Sequence, residues 1–213
     1  MTIRTLFIAA ASLAVFACTP KLAPLTAPTH KAFQQTAPDS FDAEFITTKG
    51  RMLVRAHRAW SPRGVDRLYS LVRNNYYDSV AFYRTVPRFV AQFGYTRDSA
   101  VNSAWSQARM DDEPVKTSNV RGTLVYARSG PNTRSTQMYF NIVDNARLDT
   151  LNGFGFPPIA RIIEGVEVLD SLHSGYGNGP QQGLISRQGN AYLKRDFPEL
   201  DYIVRARVVR TWK

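Results

Sequence analysis

Residues 80–94 read VAFYRTVPRFVAQFG and place polar side chains inside an otherwise apolar stretch. Valine, phenylalanine and tyrosine are frequent in it, and these residue types are enriched in β-strands. The stretch therefore predicts strands at 80–86 and 88–93, with Arg84 in the first and Gln92 in the second. A guanidinium in such a strand either keeps its head in water with its stem along the sheet, or it belongs to a functional site.

The periodicity of the flanking sequence predicts more strands. Apolar and polar residues alternate along 41–47 and 52–56, around a turn at TKG, which is typical of a β-hairpin. Further strand-like runs lie at 122–127, 137–143 and 204–208, separated by stretches rich in Gly, Pro, Asn and Asp. The dominant element of the fold is therefore expected to be the short strand.

Two helices are predicted beside these strands. Ser61 followed by Pro62 is typical of a helix N-terminus. A helix over 62–74 is expected because apolar residues follow at helical spacing, at Val65, Leu68 and Val72. A second, short helix is predicted near 166–172. Many short strands, two helices and no βαβ rhythm indicate a mostly β fold, organised as an antiparallel barrel.

The N-terminal segment has the layout of a secretory signal peptide. Within residues 1–17, Arg4 precedes an apolar run that ends in small residues. This run is shorter than the roughly 20 residues that a transmembrane helix requires. The sequence VFAC, ending at Cys18, resembles the bacterial lipoprotein box, so we expect Cys18 to be lipidated and to become the mature N-terminus. The alternative is a plain signal peptide that leaves a free thiol.

The segment after the lipidation site is predicted to be a tether. Residues 18–40 contain four prolines and show no apolar period, a composition typical of flexible linkers. The predicted organisation is therefore a signal peptide at 1–17, a lipidated cysteine with a tether at 18–40, and a folded domain at 41–213. Because Cys18 is the single cysteine of the chain, no internal disulfide can form.

The net charge limits the classes of partner. The formal charge is +10, but the basic residues are scattered in ones and twos. An exported chain without a nucleic-acid motif is not expected to bind nucleic acid. We expect a solvated basic surface that lies beside anionic lipid on the periplasmic side of the cell envelope. Another hypothesis is that the protein is a basic lipoprotein that binds an anionic envelope polymer. No metal or cofactor motif occurs, and a monomer is expected.

Three segments contain the motifs that indicate chemistry: FYRTVPRFVAQFG at 82–94, RGTLVYARSGPNTRSTQMYF at 121–140 and ARLDTLNGFGF at 146–156. Together they resemble the cyclophilin family of peptidyl-prolyl cis/trans isomerases, in particular its bacterial exported members, and the similarity extends over roughly 41–205. The family pattern F-x-R-x-x-P-x-F-x-x-Q-x-G falls on the first segment. The pattern GPNT-x-x-x-Q falls on the second.

The resemblance implies a closed eight-stranded antiparallel barrel capped by two α-helices, with a proline-binding groove on its outer surface. It implies that Arg84 is the catalytic residue. The substrates would be proline-containing exported polypeptides. The implied substrate-binding residues are an apolar pocket of Phe89, Val90, Tyr139 and Leu148, and polar or backbone contacts from Gln92, Ala127, Arg128 and Gln137.

An arginine suits this chemistry for a physical reason. Rotation about a peptide C–N bond has a barrier of about 18–20 kcal/mol because the nitrogen lone pair is delocalised. In the twisted transition state that lone pair is localised, so a guanidinium can donate to it more strongly than in the planar ground state. Arginine also stays charged and presents several donors in a fixed fork.

Several positions depart from the family pattern. Tyr139 replaces a phenylalanine and adds a hydroxyl that needs a partner or water. Arg147 stands where many eukaryotic members have a tryptophan, which disfavours strong cyclosporin binding. The segment LDTLNGFGFPP, at 148–158, is longer and rearranged, which leaves the far wall of the pocket unassigned. The alternative function is therefore a proline-peptide-binding or chaperone-like lipoprotein with little turnover.

Overall fold

The computed structural model of the chain describes residues 23–213. The predicted signal peptide and Cys18 lie outside the described residues. Within that range the strands are β1 (Ser40–Thr47), β2 (Gly50–His57), β3 (Val80–Ala81), β4 (Arg84–Thr85), β5 (Val90–Phe93), β6 (Thr123–Tyr126), β7 (Met138–Asn141), β8 (Pro158–Glu164) and β9 (Tyr202–Trp212). The helices are α1 (Pro62–Arg73), α2 (Ser99–Ser106), α3 (Val168–Ser171), α4 (Gln182–Gln188) and α5 (Asn190–Asp196).

One curled antiparallel sheet contains all nine strands of the described range, in the order β3-β9-β1-β2-β8-β6-β7-β5-β4. The mostly β expectation is confirmed, but the closed eight-stranded barrel is matched only in part. The stretch predicted as one strand at 80–86 is interrupted at Phe82 and Tyr83, so that β3 pairs with β9 and β4 pairs with β5. The two ends of the sheet are therefore joined by two residues of chain and not by a continuous ladder of hydrogen bonds.

Aromatic side chains fill the concave side of the sheet. Phe93 on β5 and Phe140 on β7 stack with ring centroids 5.5 Å apart, and Phe45 on β1 meets Phe140 edge to face at 6.1 Å. All three side chains are fully buried. Because neighbouring residues of a strand point to opposite faces, the residues between these aromatic positions point to the outer surface, where the groove lies.

The helices differ from the prediction in number. The helix predicted over 62–74 is α1, and the one predicted near 166–172 is the short α3. Two helices were expected, whereas the described residues also contain α2, α4 and α5. Each of these has eight residues or fewer, which is too short to produce a clear apolar period, and the glycine-rich sequence before α4 is typical of a loop. Strand β8 was also missed.

Part of the predicted tether, from residue 23 onward, packs on the folded domain. Phe33 is buried and packs edge to face on Trp105 of α2, with ring centroids 5.1 Å apart. The indole nitrogen of Trp105 donates a hydrogen bond of 2.7 Å to the carbonyl of Leu25. Isolated apolar residues between prolines anchor this segment although they show no period. No helix among residues 23–213 is long and apolar enough to cross a bilayer.

Candidate functional site

A groove of about 620 Å³ lies on the outer face of the sheet. It is lined by strands β4, β5 and β7, by the segments that follow β5, β6 and β7, and by residues of α2 and α4. All nine residues that the sequence predicted as catalytic or substrate-binding line this one groove: Arg84, Phe89, Val90, Gln92, Ala127, Arg128, Gln137, Tyr139 and Leu148. The structure therefore brings together residues that are separated by as much as 64 positions in the chain.

The strand register explains how the residues meet. Arg84 of β4 is opposite Gln92 of β5, Gln92 is opposite Tyr139 of β7, and Tyr139 is opposite Val125 of β6. These four residues form one row across four strands, with neighbours about 4.8 Å apart along the hydrogen-bonding direction. The row places a cation at one end, an amide next to it and an apolar floor at the other end.

The apolar floor is a small hydrophobic cluster separate from the core. Val90, Val125, Tyr139 and Leu148 are buried in it, and Phe89, Ala127 and Phe156 pack on it while keeping some exposure. Such a concave apolar seat with polar groups at its edge suits a compact apolar ring. The seat extends towards the arginine end of the row through Phe89, whose ring centre lies 5.6 Å from the guanidinium carbon of Arg84.

Arg84 has a defined orientation and no acidic partner among the described residues. Its Nε donates to Oδ1 of Asn178 at 2.6 Å, and one terminal nitrogen donates to Oε1 of Gln92 at 3.2 Å. Its guanidinium carbon lies 5.6 Å from the centre of the Phe89 ring. In residues 23–213 the other terminal nitrogen has no hydrogen-bond partner, so donor hydrogens remain for a ligand.

Gln137 is fixed from beneath by a buried tyrosine. The hydroxyl of Tyr83 donates to Oε1 of Gln137 at 2.5 Å. Burial raises the pKa of Tyr83 well above its ordinary value, so this hydroxyl stays a donor at physiological pH. Gly94 allows the strands to approach here, since a Cβ at that position would lie 2.5 Å from the carbonyl oxygen of Thr136.

The hydroxyl of Tyr139 is the polar atom that the sequence identified as needing a partner. The side chain is 5% exposed, and its oxygen has no hydrogen-bond partner in the described part of the chain. Burial raises the pKa of Tyr139, which keeps the hydroxyl protonated. The floor of the groove therefore contains a protonated tyrosine hydroxyl whose oxygen is itself buried.

The comparisons with known proteins agree with this geometry. The family model of cyclophilin type peptidyl-prolyl cis-trans isomerases matches residues 43–188. The chain belongs to the cyclophilin family. A peptidyl-prolyl cis-trans isomerase of Streptomyces antibioticus is 29% identical over 147 residues, which are 66% of this chain and 87% of that protein. Peptidyl-prolyl cis-trans isomerase B of Escherichia coli is 24% identical over 165 residues, or 75% and 94% of the two chains.

The fold is also that of solved cyclophilins. The crystal structure of a cyclophilin type peptidyl-prolyl cis-trans isomerase of Cryptosporidium parvum has a TM-score of 0.58 to this chain at 18% identity. The alignment covers 80% of this chain and 98% of that one. At this identity the likeness concerns the fold alone.

The far wall of the cyclophilin groove is formed by Phe156, which the sequence did not identify. Its ring meets Tyr139 edge to face at 6.3 Å, and its backbone N–H donates to the carbonyl of Leu148 at 2.8 Å. Phe154, two residues earlier, is 56% exposed. The sequence does not tell which of the two phenylalanines faces the groove, because the backbone conformation of the loop that contains both decides it.

Arg128 supports this wall with its side chain. It donates to Oδ2 of Asp112 and to the carbonyl of Gly155, each at 2.6 Å. Its guanidinium carbon lies 4.8 Å from the centre of the Phe156 ring. The sequence predicted a substrate contact at this position. In the structure the Arg128 side chain, paired with Asp112, also holds the rearranged 151–156 loop against the groove.

Asn178 is the other site residue that sequence reasoning missed. It lies in the glycine-rich loop before α4, which reads as an ordinary surface loop, and it is 94 positions from Arg84. Its carboxamide oxygen accepts the Nε–H of Arg84 and so fixes the rotation of the guanidinium plane. Asn178 is thus a positioning residue for the arginine.

Asn178→Ala is expected to lower the kcat of proline-peptide isomerisation about three- to tenfold, because a lost hydrogen bond of ordinary strength lets Arg84 leave its orientation. KM should change little, since the apolar seat is intact. Exchange NMR with a proline peptide measures both constants. Gln181→Ala, in the same loop, is the matched control. An equal loss from Asn178→Ala in a chain that already lacks Arg84 would show that Asn178 acts independently of it.

Proposed function

We propose that this cyclophilin accelerates the rotation of X-Pro bonds in exported polypeptides, with Arg84 as the catalytic donor. The isomerase activity follows from the family and from the relatives that share it. The observation that supports the role of Arg84 is the row that sets its guanidinium, unpaired with any acid of the described residues, beside the apolar seat. The proline ring of a bound polypeptide would occupy that seat.

The arrangement favours the twisted state of the X-Pro bond. The apolar seat holds the pyrrolidine ring, and the amides of Gln92 and Gln137 hold the flanking backbone, so one side of the bond is fixed while the other rotates. Arg84 donates to the proline nitrogen as its lone pair becomes localised. This interaction is stronger in the transition state than in either planar state, which is the requirement for catalysis. The reaction needs no nucleophile and no net proton transfer.

The binding-module alternative depended on an incomplete pocket wall. In the structure Phe156 forms that wall, and Arg128 holds it in place. The incomplete wall that favoured a non-catalytic protein is therefore not observed. An exchange-NMR assay of the full chain with a proline peptide tests the proposal without a coupling protease. Catalysis is expected to make cis/trans exchange much faster than the uncatalysed reaction, which takes tens to hundreds of seconds. Shifted peptide resonances without faster exchange would instead support the binding module.

We also propose that the protein works as a lipoprotein at the periplasmic face of a membrane, anchored through Cys18. The apolar run before Cys18 supports this. The packing of the following segment limits the distance to the bilayer, because the backbone N–H of Ala23 already contacts Oδ1 of Asn74 at the end of α1, at 3.4 Å. The chain from Cys18 to Ala23 can span at most about 18 Å, which would hold the end of α1 near the membrane surface.

Mass spectrometry of the mature protein is expected to find Cys18 as the N-terminal residue, carrying a thioether-linked diacylglycerol. Cys18→Ser should abolish this modification, because the thioether forms on the cysteine sulfur. Isomerase activity should not change. A mature N-terminus at another residue, with an unmodified thiol, would contradict the anchor and leave the enzymatic proposal intact.

A further inference from the structure

Arg147 lies at the edge of the apolar seat, in the 3-10 turn Ala146–Asp149. Its guanidinium carbon is 4.9 Å from the centre of the Phe89 ring, which Arg84 approaches to 5.6 Å. One aromatic ring of the groove is thus contacted by two cations. Stacking on the ring restricts the Arg147 side chain, although the residue is exposed.

No carboxylate neutralises these two arginines. In the described residues neither Arg84 nor Arg147 forms an ion pair, and Arg109, which also lines the groove, forms none. The acid nearest to Arg147 in the chain is Asp149, but its carboxylate accepts hydrogen bonds from Ser118 and from the backbone and side chain of Asn119.

Other arginines of the protein contrast with this. Arg58 is bound to Asp66, Arg55 to Asp42 and Arg121 to Asp170. Pairing is therefore common elsewhere on the surface, and the mouth of the groove is a local region of uncompensated positive charge. Such a region attracts an anionic ligand and orients it.

We propose that Arg147 forms an anion subsite that selects proline segments carrying a glutamate or aspartate directly before or directly after the proline. This inference rests on the proposed isomerase function and names its substrate class. The planar guanidinium, held over Phe89, presents paired N–H donors that match a carboxylate. Since the proline ring packs beside Phe89, a side chain close to the proline in sequence is within reach of the same edge.

The expected preference is modest because Arg147 is exposed. Exposed ion pairs contribute up to about 1 kcal/mol, which corresponds to about a fivefold change in kcat/KM. Salt should reduce the preference, since screening acts on exposed charges. A ratio of two to five between acidic and neutral peptides at low ionic strength is therefore the quantity to measure.

The test compares matched peptides in which glutamate or glutamine stands directly before the proline, and a second pair in which it stands directly after. Exchange NMR avoids the charge preference of a coupling protease. The full wild-type chain should show a Glu/Gln ratio of about two to five in at least one pair. The ratio should fall towards one in Arg147→Gln, persist in Arg147→Lys and fall in 0.5 M salt, where the screening length is only a few ångströms (about 3–5 Å).

Arg210→Gln is the matched control. Two arginines also contact one aromatic ring at a place away from the groove. The guanidinium carbons of Arg210 on β9 and Arg55 on β2 lie 5.7 and 4.6 Å from the centre of the Trp212 ring. This variant removes the same charge and should keep the ratio. Three results would overturn the inference. They are a wild-type Glu/Gln ratio of one, a ratio that Arg147→Gln leaves unchanged, and an Arg147→Gln variant whose kcat/KM falls equally on acidic and neutral peptides. Absence of catalysis on every peptide would instead contradict the proposed function.

Discussion

Arg84→Ala is expected to lower kcat/KM for proline-peptide isomerisation about 10²–10³-fold, the range seen when one preorganised transition-state donor is removed. The variant keeps the apolar seat, so peptide binding should persist while turnover is lost. Exchange NMR measures the turnover, and titration of the peptide resonances measures the binding. This pattern would separate a missing catalytic donor from a damaged groove.

Arg84→Lys refines this prediction. Lysine keeps the charge but not the fork that reaches Asn178 and Gln92 at the same time. We expect it to recover only a small part of the lost rate. Neither variant should lower the thermal midpoint appreciably, because Arg84 is half-buried and its partners are neutral. Activity within threefold of wild type in Arg84→Ala would contradict the mechanism.

The site residues were predicted from the family resemblance, and the strand register explains why a sequence motif locates them. Arg84 and Gln92 lie on two strands joined by a short turn, so their spacing in the sequence fixes their pairing in the sheet. The same reasoning applies to Gln137, which directly precedes β7, and to Tyr139 within it, because residues two apart in an extended chain point to the same side. Residues that a strand register positions can be found from a motif.

Contacts that depend on loop conformation could not be predicted. Asn178 and Phe156 reach the groove from segments rich in glycine, where the sequence allows many backbone paths. The packing of Phe33 on Trp105 joins two segments that show no period. The ninth strand arises because the run predicted as one strand at 80–86 is interrupted at Phe82 and Tyr83. Its two halves, β3 and β4, lie at opposite edges of the curled sheet. Each of these outcomes is decided by tertiary packing and not by local preference.

A buried charge pair behind the groove leads to the largest expected loss of stability. Arg134 is completely buried, and it donates to Oε2 of Glu113 at 2.9 Å. Glu113 also accepts the backbone N–H groups of Arg63 and Gly64 at the start of α1, at 2.8 and 3.2 Å, and the hydroxyl of Ser61. One carboxylate thus compensates a buried cation and caps a helix.

Glu113→Gln is expected to lower the free energy of unfolding by about 3–5 kcal/mol, because it removes the carboxylate nearest to the buried Arg134 and leaves only Asp112, whose Oδ1 is 3.7 Å away. Urea unfolding of the full chain measures the loss. Asp170→Asn, which breaks the exposed pair with Arg121, is the matched control and should cost about 1 kcal/mol or less. Equal losses in the two variants would show that burial of the Arg134 pair contributes nothing beyond a surface pair.

The pH dependence provides an independent check on the same carboxylate. Burial alone would raise the pKa of Glu113, but the hydrogen bonds from Ser61, the Arg63 amide and Arg134 outweigh it, so the pKa is lowered from the ordinary value of 4.5. A group with a lowered folded-state pKa stabilises the protein fully above its unfolded-state pKa and loses that contribution as the pH falls through the folded-state value. The stability difference between wild type and Glu113→Gln should therefore be constant at neutral pH and shrink below about pH 4.5. A difference that stays the same down to pH 3 would mean that the carboxylate charge is not what holds Arg134 in place.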